Sequence, residues 1–160
     1  MAERKPGRRG ISNKNREILI WDYACFLLSR RIYSEKELLT KLEKRYPEDL
    51  NKIESVLEKL KYYNYLNDRK NSEIIAEQLR KKGYGPRYIS NYLVRKGFVD
   101  INIDVNYDYS NMKKWYEKKM GNEKIRDLKT FRKMYNYLLS KGFLSEDILE
   151  FLKGWTDYER

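Results

Sequence analysis

The chain of 160 residues contains no histidine and one cysteine, Cys25. That excludes imidazole bases, His-containing zinc sites and Ser-His or Cys-His nucleophilic pairs, together with disulfide frameworks and Cys-rich metal sites. Carboxylates are plentiful, but only Pro47-Glu48-Asp49 followed by Lys52 has a spacing related to a nuclease carboxylate-lysine set. That stretch opens a helix with no strand beside it to hold a metal. Most other Asp and Glu fall opposite apolar stripes or at capping positions, where solubility and capping account for them. The fifteen tyrosines lack the Arg/His surroundings that a nucleophilic tyrosine needs. Neither GxxxxGK followed by Ser or Thr nor GxGxxG occurs, so nucleotide binding has no support. No catalytic residue, metal or cofactor is expected.

Charge is the remaining chemistry. Lys and Arg number 35 against 24 Asp and Glu, a formal net charge of +11, and 41% of residues are hydrophobic, enough for a core. Residues 1–31 carry 8 basic and 3 acidic side chains, 79–98 carry 6 and 0, and 110–141 carry 10 and 3. Residues 32–78 are balanced, and 99–109 and 142–160 are acidic. One such block could be a solvated helix face, but three favour an anionic partner. The candidate contact residues are Arg30 and Arg31 in the first block, Arg80, Lys81, Lys82, Arg87, Arg95 and Lys96 in the second, and Lys129, Arg132 and Lys133 in the third. The longest apolar run, Tyr23 to Leu28, is far short of the roughly 18 residues that span a bilayer, and no signal-peptide core precedes it. A soluble, cytoplasmic protein without membrane contact is expected.

Helices must position these charges. Residues 1–13, rich in Gly and basic residues, read as a flexible basic tail. From about Asn15 a helix with Ile18, Trp21, Cys25 and Leu28 on its inner face, the stripe widened by Ala24 and Leu27, is expected, ending near Arg31. Ser34 to Glu37 is a capping box opening a helix with Leu38, Leu39 and Leu42. Pro47 pre-sets a third helix with Leu50, Ile53, Leu57 and Leu60. A fourth carries Ile74, Ile75 and Leu79 and ends at Gly83, and a fifth starts at Gly85-Pro86, carries Ile89 and Leu93 and ends at Gly97. Residues 99–109 read as a linker. Ser110 caps a helix with Met112, Trp115 and Tyr116; Ile125, Leu128, Tyr135 and Leu138 mark a long helix reaching Gly142; Ser145 caps a last helix with Ile148, Leu152 and Trp155.

Three segments align without gaps across a helix-turn-helix joint. They equate Leu28, Leu79 and Leu138; Tyr33, Tyr84 and Phe143; Leu38, Ile89 and Ile148; and Leu42, Leu93 and Leu152. The aromatic is expected to plug the core where two helices cross. Intervals of 51 and 59 residues suit a helical array. The fold class is therefore all-α, an elongated tandem array of three-helix repeats: 14–68, 69–109 including the linker, and 110–160.

The second joint, Lys82-Gly83-Tyr84-Gly85-Pro86-Arg87-Tyr88-Ile89, resembles the RecX family of bacterial recombinase regulators. So do Ala24 to Leu38, Tyr65-Leu66-Asn67-Asp68 and Leu139-Ser140-Lys141-Gly142-Phe143, and the likeness runs over residues 20–155. The resemblance implies a non-enzymatic regulatory protein that binds the RecA–single-stranded-DNA filament and lowers ATP hydrolysis and strand exchange. It further implies a monomer with the RecA filament and single-stranded DNA as partners, and duplex DNA bound more weakly. Arg80, Lys81, Lys82 and Arg87 are the expected main electrostatic contact. The alternative is a helix-turn-helix protein acting directly on DNA, with Arg87 and Asn91 as a sparse base-reading set.

Overall fold

The computed structural model describes residues 13–99 and 110–157. The expected basic tail, apart from Asn13, and the expected linker, apart from Val99, lie outside the described residues. The chain divides into two compact units, 1–68 and 69–160. All eight elements among the described residues are α-helices, and the one β-type pairing is an isolated bridge between Ile125 and Thr156.

The first unit contains α1 (Asn13–Arg30), α2 (Glu35–Arg45) and α3 (Leu50–Tyr62). Its core is Ile20, Ala24 and Leu27 of α1, Tyr33, Leu38 and Leu42, then Ile53, Val56, Leu57 and Leu60 of α3, with Leu66 beyond it. Ala24 and Leu27 are buried as expected, but the centre of the α1 inner face is shifted from the expected stripe. Ile18 is 52% exposed, and Trp21, Cys25 and Leu28 are half-buried at the margin. Apolar side chains surround α1 on nearly every side, so periodicity cannot choose among faces. The small Ala24 lets the neighbouring helices approach closely, and Ile20 and Leu27 lie one turn on either side of it.

Ser34 is fully buried and its hydroxyl accepts the Glu37 amide at 3.1 Å, as the capping box requires. The Glu37 carboxylate is also gripped by both Arg31 nitrogens, at 2.9 and 2.7 Å. Asp68 accepts the Glu35 amide at 2.9 Å, so two donors of the first α2 turn are satisfied by side chains. Burial pushes the Asp68 carboxyl above its ordinary value. Pro47 does not open α3, since the residue flanking that helix is Asp49 and Leu50 is 54% exposed. The Asp49 carboxylate is buried between Arg16 (2.9 Å) and Lys52 (2.5 Å), so the carboxylate-lysine spacing is a clamp between α1 and α3.

The second unit contains α4 (Asp68–Lys81, beginning at the unit boundary), α5 (Pro86–Arg95), α6 (Ser110–Met120), α7 (Leu128–Ser140) and α8 (Ser145–Lys153). Met112, Tyr116, Ile125, Phe131, Met134, Leu138, Phe143, Ile148 and Leu152 form one buried cluster. Ile89, Leu93 and Phe98 are also buried. Two boundaries differ from expectation. Ile125 precedes α7, fully buried, and its backbone exchanges hydrogen bonds with Trp155 and Asp157; Asp127 caps the helix through the Thr130 amide. Leu128 is consequently 53% exposed. Ser145 is the first residue of α8, and Leu144 is the flanking one. The Ser145 hydroxyl meets the Tyr135 hydroxyl at 2.7 Å instead of capping.

Gly83-Tyr84, Gly97-Phe98 and Gly142-Phe143 share one plan: a glycine at positive φ closes a helix and an aromatic follows it. Tyr33 and Phe143 are buried plugs. Tyr84 is not: it is half-buried, stacked on Tyr88 at 4.0 Å, because Trp115 occupies the joint and donates its indole N–H to the Gly83 carbonyl at 2.7 Å. The remaining aligned positions are buried, except Leu28.

Candidate nucleic-acid and partner interface

The second joint is held by main chain. The Gly85 amide donates to the Lys141 carbonyl (2.8 Å) and the Arg87 amide to the Gly142 carbonyl (3.0 Å). The free donors at the start of α5 thus meet the free acceptors at the end of α7, and opposite ends of two helix dipoles abut. A side chain at either glycine would prevent this. A Cβ on Gly85 would lie 2.5 Å from the Gly142 carbonyl carbon and oxygen, and one on Gly142 would lie 2.8 Å from the Tyr88 Cα and closer still to its N and Cβ.

This contact frames an open groove of about 870 Å³ between α5 and the end of α7. Arg87, Ser90, Asn91, Val94 and Arg95 line one wall and Leu139, Ser140 and Gly142 the other, with Tyr88 beside them. No carboxylate is among the described residues that line it. Helical spacing puts Arg87, Asn91 and Arg95 on one stripe while Ile89 and Leu93 face the core.

The other candidate contacts are dispersed. Arg31 is committed internally, bonded to Glu37 with its guanidinium 3.7 Å from the Tyr33 ring centroid; the Glu37 hydrogen bonds hold it protonated still more firmly than usual. Arg30 is exposed and lies over Phe26. Arg80 pairs with Glu77 at 2.5 Å and Lys81 approaches the same carboxylate at 3.8 Å, so an acid one turn earlier offsets a block that contains none. Lys82 is exposed. Lys96 is half-buried, its ammonium 5.9 Å from the Tyr92 ring centroid. Lys129, Arg132 and Lys133 are exposed on α7, and Arg132 borders a smaller groove with Phe131, Tyr135, Asn136 and Leu149. Of the expected set, Arg87 and Arg95 share the α5–α7 groove, and Arg132 borders the smaller one.

The charge count overlooked the groove's uncharged wall and the aromatics next to it. Tyr84, just before α5, and Tyr88 and Tyr92 on it recur every four residues, a spacing already visible in the sequence. Trp115 and Tyr137 continue the aromatic surface, with the Lys141 ammonium 4.3 and 5.1 Å from their ring centroids. Among the described residues no group of three or more Cys, Asp or Glu could hold a metal ion, and no helix is long and apolar enough to cross a membrane.

The regulatory protein RecX of Mannheimia succiniciproducens is 33% identical over 150 residues, covering 88% of this chain and 97% of that one. The chain belongs to the RecX family. The family model for RecX's third three-helix domain matches residues 106–152, the stretch that includes α6, α7 and most of α8. The regulatory protein RecX of Haemophilus influenzae is 32% identical over 143 residues, 84% of this chain and 93% of its own. In fold, the crystal structure of RecX from Lactobacillus salivarius superposes with a TM-score of 0.71 at 20% identity, covering 89% of this chain and 97% of that one. The all-α array of three-helix units is thus the RecX fold, and these RecX relatives carry the name of regulators.

Proposed function

We propose that this chain binds the RecA–single-stranded-DNA filament in the cytoplasm as a monomer and lowers its ATP hydrolysis and strand exchange. Residues 14–68, 69–109 and 110–160 act as successive repeats. The observation that carries the reading is the α5–α7 groove, with Arg87 and Arg95 on one wall and no carboxylate among its described lining residues, a surface suited to phosphates and acidic side chains alike. Membership of a family of regulatory proteins supports it. The rival, a duplex-reading helix-turn-helix, needs the first turn of its recognition helix free to enter a groove. Here the first turn of α5 is tied to Lys141 and Gly142, which argues against it.

Sub-stoichiometric protein should depress ATP hydrolysis by a preformed filament, because linked weak contacts gain from sites held at fixed spacing. A fragment of residues 1–70 keeps the first unit and loses the groove, and should lose most of the effect. A fragment as effective as the full chain, or inhibition that vanishes once the DNA is saturated with recombinase, would overturn the proposal.

The groove also has a salt signature. Replacing Arg87 and Arg95 with Gln should make the dependence of single-strand affinity on salt shallower by roughly 0.7 in log–log slope per lost phosphate contact. Replacing Arg80 and Lys81, already offset by Glu77, should change it less. Equal slopes for both variants would place the phosphate contacts elsewhere, most plainly on Lys129, Arg132 and Lys133.

A further inference from the structure

We propose that the tyrosine strip of α5 is a stacking site for the bases of a single-stranded polynucleotide, separate from the phosphate contacts of Arg87 and Arg95. The inference rests on the reading that this chain engages a single strand, and adds how it does so. Tyr84 and Tyr88 are parallel within 10° with centroids 4.0 Å apart, a closed stack. Tyr88 and Tyr92 are parallel within 22° with centroids 6.5 Å apart. At that distance the two rings are not in face-to-face contact with each other, unlike those of Tyr84 and Tyr88. Four residues of helix rise about 6 Å, so the backbone itself sets this interval.

Cations surround the rings. The Lys96 ammonium is 5.9 Å from the Tyr92 centroid, and past the other end of the ladder Trp115 has Lys118 at 5.3 Å and Lys141 at 4.3 Å. No acidic residue occurs between positions 78 and 99. A surface that is planar, aromatic and cationic at once suits a strand that exposes both base faces and phosphates, the combination used by single-strand binders. A duplex keeps its base faces stacked inside, and an apolar protein segment would gain nothing from the lysines.

The test compares binding of the full chain to a short oligothymidylate and to an abasic strand of equal length. The wild type should hold the base-bearing strand about 10-fold tighter or more. The pair Tyr88→Leu and Tyr92→Leu, which keeps apolar bulk at the joint, should bind both strands alike with an unchanged salt slope, and the pair Tyr88→Phe and Tyr92→Phe should restore the preference. If the Leu pair fails to fold by thermal melting, Tyr92→Leu alone carries the same comparison. Equal binding of the two strands by the wild type, or a preference surviving in the Leu variant, overturns the stacking site. Filament ATP hydrolysis measured in parallel separates the two readings: inhibition without base preference removes only the stacking site, and base preference without inhibition removes only the filament reading.

Discussion

Gly142→Ala should destabilise the 69–160 unit by roughly 2–6 kcal/mol, the combined scale of left-handed backbone strain and steric overlap in a packed site. Gly142 has φ of +88°, and an added Cβ would overlap the Tyr88 backbone, so α5 would have to move away from α7. That movement would break the Gly85–Lys141 and Arg87–Gly142 hydrogen bonds and splay the groove. Gly121→Ala is the matched control: its φ is +64°, but nothing lies within 4 Å of the added carbon, leaving strain alone at about 1–2 kcal/mol. Thermal melting should show the Gly142 variant well below the Gly121 variant. Matching melting temperatures would mean that α5 is not seated on the α7 terminus as described.

Leu93→Ala should cost about 2–5 kcal/mol, a loss on the order of 10 °C or more in melting temperature for a unit of this size. Leu93 is 1% exposed, and its carbonyl accepts the Phe98 amide at 3.0 Å, so the emptied space would lie under the turn that closes α5. Lys114→Ala, at an exposed position on α6, should leave the melt almost unchanged. Amide exchange would localise the loss to the second unit. A Leu93 variant melting with the Lys114 control would contradict its burial.

Much of the fold was legible because its signals are local. Ser34 with Glu37, Gly85-Pro86 at the start of α5 and the glycines at 83, 97 and 142 mark helix ends through groups within a few residues of one another. Leu38, Leu42, Ile89, Leu93, Ile148 and Leu152 were identified by helical spacing on short helices with one apolar face. The same method found Ala24 and Leu27 on α1 but missed Ile20 and misplaced the centre of the face on Ile18, because apolar side chains surround the helix and contacts with neighbouring helices decide which stripe is buried. It failed at Ile125, whose pairing partner lies 31 residues further along the chain. Ser145 and Pro47 carried genuine start signals, yet a longer-range hydrogen bond claimed one and the Asp49 clamp displaced the other.

The candidate site divides in the same way. The amount of positive charge, its blocks, the absence of catalytic histidine and the four-residue rhythm of the α5 tyrosines are all properties of the sequence, since counting and helical spacing require no tertiary contact. Which charges are paired within the chain was decided only by folding. Glu77 reaches Arg80 and Lys81, Glu37 takes Arg31, and Arg87 and Arg95 come together on the α5–α7 groove. That groove exists because two glycines, 57 residues apart, bring the ends of α5 and α7 within hydrogen-bond distance. A glycine's need for close approach is invisible until the opposing backbone is in place, since it depends on atoms the local sequence does not contain.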